Sequence, residues 1–201
     1  MHQPPKKTAS GVTLIEVLVS LLILSLGLLG VLGLQAQSVR FQVGSASRAS
    51  LSVALSDISD RLRSNLSMVP GYDMTVTNSP YSYTATWTAQ DEVDEVTRDC
   101  STTTCTPTQR ATYDIEAWRN HVRTLMPRGS VNLSGNLNTG MNVTLMWFDK
   151  DFLSGGELQS APVCPTAPED DDDNRMLRQS CCPTAVAAPA GVRCANFTVF
   201  P

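Results

Sequence analysis

Histidine is nearly absent from this chain of 201 residues, which has only His2 and His121. A catalytic histidine pair or a histidine-rich zinc site is therefore all but excluded. Lysine is also scarce: Lys6, Lys7 and Lys150 are the full set. Aromatic residues make up 6%, enough for a modest core. There is no G-x-G-x-x-G fingerprint, no P-loop and no hydrolase elbow. No internal repeat is evident. The net charge is −4 and the isoelectric point near 5.1. A nucleic-acid binder that neutralises phosphates needs the opposite balance, so no nucleic-acid partner is expected. No cofactor is implied.

What is present is unevenly distributed. Residues 12–34, VTLIEVLVSLLILSLGLLGVLGL, hold one charge, Glu16. About 20 apolar residues suffice to span a bilayer as a helix. Lys6 and Lys7 lie just before this run. The leader Met1–Gly11 contributes +2, which leaves −6 on the remainder. A basic leader before an apolar run first reads as a secretory signal peptide. Here the run exceeds the usual 7–15 residues, and no A-x-A cleavage site follows it. A retained membrane helix fits better. By the positive-inside rule its N-terminus lies in the cytoplasm and the rest of the chain is exported.

Glu16 is the anomaly. A charged side chain within a membrane helix costs about 2.5–3.5 kcal/mol on insertion scales, and such residues are usually functional. Thr13, Leu14 and Ile15 precede it, which puts it roughly 6 Å inside at 1.5 Å per residue. It could be an interfacial carboxylate. It could also be paired with a cation: a cut after Gly11 would free the α-amine of Val12, one helical turn away or on a neighbouring chain.

Ser10-Gly11-Val12-Thr13-Leu14-Ile15-Glu16-Val17-Leu18-Val19 resembles the class III signal of type IV pilins and pseudopilins. The resemblance implies a prepilin peptidase cut between Gly11 and Val12, N-methylation of Val12, and a subunit-assembly role for Glu16. The family usually has Phe where this chain has Val12.

Beyond Gly33 the apolar positions thin to a stripe: Val39, Val43 and Ala46, then Leu51, Leu55, Ile58, Leu62 and Leu66. The last five are spaced as one helical face. Asp57 and Arg61 form an acid-first i,i+4 pair, and Pro70-Gly71 ends the helix. As helix, residues 12–66 would run about 80 Å. Gly27, Gly30 and Gly33 weaken its middle. They allow either close packing through small residues or local unwinding, and both readings imply helix neighbours.

After Pro70 the composition turns to Thr, Ser, Asn and Gly. Alternation predicts strands at Tyr81–Trp87, Val131–Leu133, Val143–Trp147 and Asn196–Phe200. Asp114 reads as the cap of a helix over Ile115–Met126, with Pro127 after it. This head is similar to the PilV-type minor pilins. The likeness rests on Tyr113-Asp114-Ile115-Glu116-Ala117-Trp118, on Leu125–Val131 with its Pro127-x-Gly129 turn, and on Val143–Trp147. It spans roughly residues 5–150.

The resemblance implies an α+β, type IV pilin-like fold, a long N-terminal helix packed on a small antiparallel sheet. It divides the chain into a leader over 1–11, a transmembrane and filament-core helix over 12–34, an amphipathic continuation over 35–69, and a periplasmic head over 70–201. It implies a non-enzymatic subunit that primes pilus assembly with other minor pilins and the major pilin, at the pilus tip. Its further partners would be the prepilin peptidase, as substrate, and inner-membrane lipid before assembly. A type II secretion pseudopilin is the alternative. A membrane-anchored enzyme or binding protein is disfavoured, since no cluster pairs a nucleophile with a base.

The cysteines are Cys100, Cys105, Cys164, Cys181, Cys182 and Cys194, and no C-x-x-C pair occurs among them. Their number suggests an oxidising compartment. Six cysteines allow 15 connectivities. Cys100 and Cys105 are close enough to staple a local loop. Adjacent Cys181 and Cys182 pair poorly with each other, which leaves Cys164 and Cys194 to take one each. Zinc lacks both C-x-x-C spacing and a nearby His. The run Glu169–Asn174 lacks the central Gly and closing Glu of an EF-hand loop and reads as a solvated acidic loop. His121, and the acidic group Asp91, Glu92, Asp94 and Glu95, read as surface.

Overall fold

The computed structural model describes residues 13–66, 79–92, 95–136, 140–165 and 172–200. The chain divides into two compact units, Met1–Ala46 and Ser47–Pro201. Helix α1, Leu14–Leu66, contributes to both. Its first turn is anchored on the Thr13 carbonyl, which accepts from the backbone N–H of Glu16 at 3.0 Å and of Val17 at 3.3 Å. The segment Leu14–Val39 has a mean hydropathy of 2.7 and none of it is buried, so it is long and apolar enough to cross a membrane.

The second unit has an ordinary interior. Ala54, Ile58 and Leu62 of α1 are fully buried, and Leu51 and Leu55 pack partly against them. Helix α2, Pro107–Leu125, lies in the same core through Ala111, Ile115, Trp118 and Val122. Burying side chains such as Ile58 and Leu62 contributes about 1.5–3 kcal/mol each. The Trp118 indole also donates to the Ala54 carbonyl at 2.8 Å, so its one polar atom is satisfied inside.

The start of α2 corrects the sequence expectation. Asp114 is not its cap. Thr106 is, with Pro107 in the first position. The Thr106 hydroxyl accepts from the Gln109 N–H, and the Gln109 side chain accepts from the Thr106 N–H. This reciprocal pair satisfies two donors that a helix start leaves open. Asp114 instead sits two turns inside, on the buried face. At the other end, Pro127, Arg128 and Gly129 turn the chain into the sheet. A Cβ on Gly129 would lie 2.4 Å from the Val122 carbonyl oxygen, so only glycine fits there.

The sheet has the order β1-β2-β5, with β1 Ser130–Asn136, β2 Gly140–Phe148 and β5 Val192–Val199, all antiparallel. β5 starts four residues before the expected Asn196. Side chains alternate between faces. Val131, Leu133, Val143, Leu145, Trp147 and Val199 join the helical core. On the opposite face, Met146, Val192 and Cys194 join a second cluster with Trp87, Cys182 and Val186.

The expected strand Tyr81–Trp87 is also corrected. Only Tyr83 pairs, through two backbone bonds to Leu133 at 2.8 and 2.7 Å. Residues Thr88–Gln90 then turn into a short 3-10 helix. There the Gln90 carboxamide accepts from the Val131 N–H at 3.0 Å and donates to the Val131 carbonyl at 3.0 Å. A side chain thus replaces a strand, and the edge of β1 is closed against stray pairing.

The remainder is stapled. A small hairpin, β3 Leu153–Ser154 and β4 Glu157–Leu158, turns at Gly155 and Gly156, both with positive φ. Helix α3, Asp172–Ser180, then packs on β5. Asp172–Asn174 of the acidic run therefore belong to a helix and not to a loop; the rest of the run lies outside the described residues. Disulfides join Cys100 to Cys105, Cys164 to Cys181 and Cys182 to Cys194. The fold is α+β: a long N-terminal apolar helix, a small antiparallel sheet and a disulfide-bonded C-terminal region.

Candidate functional site

Two places combine charge with an unusual setting. The first is the N-terminal turn of α1. Gly11 and Val12, the expected cleavage and methylation positions, lie outside the described residues. Glu16 occupies the first turn, where a carboxylate is favoured by the positive end of the helix dipole. Its side chain forms no ion pair among the described residues. Around it, Leu14, Ile15, Val17, Leu18 and Val19 are all at least 48% exposed. Water would not stabilise such a surface, whereas lipid or packed helices of other chains would. Added Cβ atoms on Gly27, Gly30 and Gly33 would meet nothing within 4 Å. Packing among the described residues therefore does not account for these glycines.

Of the second place, only the Asp57–Arg61 pair was legible in the sequence. Asp114, wholly buried, receives hydrogen bonds from three sides. Arg110 Nε reaches it at 3.1 Å, Arg61 Nη1 at 3.3 Å and the Tyr81 hydroxyl at 2.7 Å. Tyr81 in turn accepts from Asn65 Nδ2 at 2.9 Å. Burial and the adjacent Asp114 carboxylate push the Tyr81 phenol well above its ordinary value, so it remains a neutral donor. Arg61 also binds Asp57 at 2.7 Å, and His121 Nδ1 lies 2.9 Å from the other Asp57 oxygen. Partial burial alone would raise the Asp57 carboxyl. Hydrogen bonds from His121 and Arg61, together with their charge, outweigh it and hold the group below the usual carboxylate range. This network joins α1 to α2 and to the Tyr81 segment. Its carboxylates are occupied by arginines, so its role is to position helices.

No group of three or more His, Cys, Asp and Glu among the described residues could hold a metal ion. The six cysteines are consumed by disulfides. His121 sits at the surface end of the network, with the Asp57 carboxylate as its partner. Asp91 pairs with Arg128, whose guanidinium also lies over the Trp87 ring at 5.6 Å. That contact holds the turn after α2.

Residues 6–32 match the family model of the prokaryotic N-terminal methylation motif. The matched stretch includes Gly11, Val12 and Glu16. The motif supports a type IV pilin-like or pseudopilin subunit, with prepilin peptidase processing and a membrane-anchored stage before assembly. The α+β fold agrees with a pilin-like architecture. Neither the curated proteins nor the solved structures compared with the chain give a match.

Proposed function

We propose that this protein is a minor type IV pilin of the PilV type. It is a structural, non-enzymatic subunit that primes pilus assembly with other minor pilins and the major pilin, at the pilus tip. The observation that carries the reading is the methylation motif over residues 6–32, coinciding with Glu16 on an apolar helix whose side chains are uncovered among the described residues. A permanent membrane anchor gains nothing from an intramembrane carboxylate. A filament does, because an ion pair in a low-dielectric bundle depends steeply on position. The freed α-amine of Val12 has the right sign and depth to select a neighbouring subunit in register.

In this reading, residues 1–11 are removed by the prepilin peptidase and Val12 is methylated. Residues 12–34 first sit in inner-membrane lipid with the N-terminus in the cytoplasm, and later in the filament core. Residues 35–69 continue the helix, and residues 70–201 form a periplasmic head held by its three disulfides. The type II pseudopilin reading shares the N-terminal motif and differs in what is lost on deletion, namely secretion and not surface pili.

The test is the N-terminal sequence and intact mass of the protein recovered from cells. Methyl-Val12 as first residue, with a mass about 1.2 kDa below the 21.7 kDa full chain, is expected. A chain starting at Met1 removes the proposal. Replacing Gly11 with a bulky residue should leave only the uncut form, because the peptidase must receive an extended backbone where a Cβ would clash. Normal cutting of that variant would count against the proposal too.

A further inference from the structure

The outer face of the sheet carries a feature that the filament reading does not use. Strand register places Asn132, Thr144 and Asn196 in one row across β1, β2 and β5, and Ser134, Asn142 and Thr198 in the next. Six short polar side chains thus form a two-by-three array on one face. Towards Met146 the same face is covered by the second hydrophobic cluster. The polar rows are left as the floor of an open cleft of about 880 Å³. The Cys164–Cys181 disulfide and Pro183 wall it on one side, and Thr84 lines it as well.

Part of the array is already committed. Asn196 Nδ2 donates to the carbonyls of Arg178 at 2.7 Å and Cys181 at 2.8 Å, and so closes the end of α3. The Thr144 hydroxyl donates to Asn196 Oδ1 at 2.7 Å. These bonds fix the middle of the floor. Two carboxamides keep capacity to spare. Asn142 Oδ1 accepts from the Thr198 hydroxyl at 3.2 Å, while its amino group makes no hydrogen bond among the described residues. Asn132 is only 4% exposed, yet its carboxamide makes no hydrogen bond among the described residues. What remains exposed of it faces the cleft, where a ligand could pair with it.

The chemistry of the lining narrows the occupant. Arg178 is the one ionisable group among the described lining residues. A divalent cation would need carboxylate oxygens, which this lining lacks. A polyphosphate would need several cations. An extended peptide binds by adding to a strand edge, whereas the two polar rows lie on a sheet face. A neutral sugar fits, because each hydroxyl both donates and accepts, and a carboxamide offers both functions on one planar group. The volume lies within the range of small-molecule pockets, roughly 300–1,000 Å³. We propose that this cleft is a binding site for a neutral saccharide, held by Asn132 and Asn142. The proposal stands whether or not the head rides a filament.

The test uses the full chain in phosphocholine micelles, since glycosidic detergents would compete for the site. Lactose, maltose and diacetylchitobiose serve as probes in saturation-transfer NMR. At least one should give saturable transfer to its ring protons. Asn132→Leu should weaken that binding roughly tenfold, as for loss of one or two hydrogen bonds, with an unchanged or raised Tm. A purely structural Asn132 would instead show a lower Tm and unaltered binding, which overturns the proposal. Asn142→Ala changes an exposed residue and decides the matter if Asn132→Leu fails to fold; it too should weaken binding. No saturable transfer from any of the three sugars, or transfer that both variants leave untouched, overturns the proposal.

Discussion

Leu22 and Leu62 belong to the same helix, α1, and live in opposite environments. Leu22 is 60% exposed, as are most of its apolar neighbours in the first unit, while Leu62 is fully buried in the second. In the first unit, hydrophobic surface is left for something outside the chain. In the second it is used up by α2 and the sheet. Charge follows the same division. Glu16 has no partner among the described residues, whereas Asp114 is surrounded by Arg61, Arg110 and Tyr81. An unpartnered carboxylate on an uncovered helix is a demand for other molecules. A saturated one in a core is a demand already met. The two regions should therefore respond to mutation in separate currencies, assembly for the first and folding for the second.

The largest separation is expected at Glu16. Glu16→Val makes the helix more apolar, so membrane insertion and leader cutting should persist. Association with partner pilins and surface piliation should be lost. The thermal midpoint of the head should not move, because the buried clusters that hold it together do not include Glu16. Co-purification, a pilus count and a near-UV melting curve check this. Undiminished association would leave Glu16 as a tolerated interfacial group.

Asp114 should give the reverse pattern. Asp114→Ala strips the partner from two arginines and a buried phenol, and breaking a buried pair costs about 3–5 kcal/mol. At 2–4 °C per kcal/mol for a chain of this size, Tm should fall by about 6–20 °C. Cutting and insertion should be unaffected. A Tm within a degree of the parent would mean that the network adds nothing to the head.

The disulfides come next. Removing Cys182–Cys194 by paired alanines should cost about 3 kcal/mol on loop-closure grounds, and removing Cys100–Cys105, with its shorter loop, about 2 kcal/mol. The difference should widen beyond loop length, since Cys182 and Cys194 also pack in the second cluster while Cys100–Cys105 lies at the surface. Melting curves of the two double variants decide the order. Equal losses would show that the cluster contributes little.

These contrasts also explain what could be read in the sequence. The stripe Leu55, Ile58 and Leu62 was legible because helical period and burial coincide. The run Val143–Trp147 was legible because alternation and the two sheet faces coincide. Asp114 misled because an acid before Ile115 and Trp118 imitates a cap. The true start signal is Thr106-Pro107 with Gln109, eight residues earlier. Tyr81–Trp87 alternates like a strand, but Gln90 completes the pairing with a side chain, which no periodicity can announce. Glu16 stood out as a lone charge in an apolar run. The Asn132–Thr144–Asn196 row could not be seen, because it exists only once three distant strands are in register.

The smallest effect is expected at the rim of the head. Asp57 is half-buried, and its carboxyl is held below the usual range by His121 and Arg61. The native state therefore keeps this group charged more readily than the unfolded chain does. The resulting stability is fully present at neutral pH, above the unfolded value near 4. It is lost as pH falls through that value and then through the lower native one. Because both partners are partly exposed, the contribution should stay under about 1 kcal/mol. Asp57→Asn should lower Tm by about 1–3 °C at pH 7. The gap to the parent should narrow as pH falls below the unfolded value, and it should close only where the parent's lowered carboxyl is protonated as well. Melting curves of the two proteins at pH 7, 5 and 3 provide the measurement. A gap that stays constant across the three would trace the loss to packing at position 57, and the ion pair with Arg61 would drop out of the account of how the two helices are held.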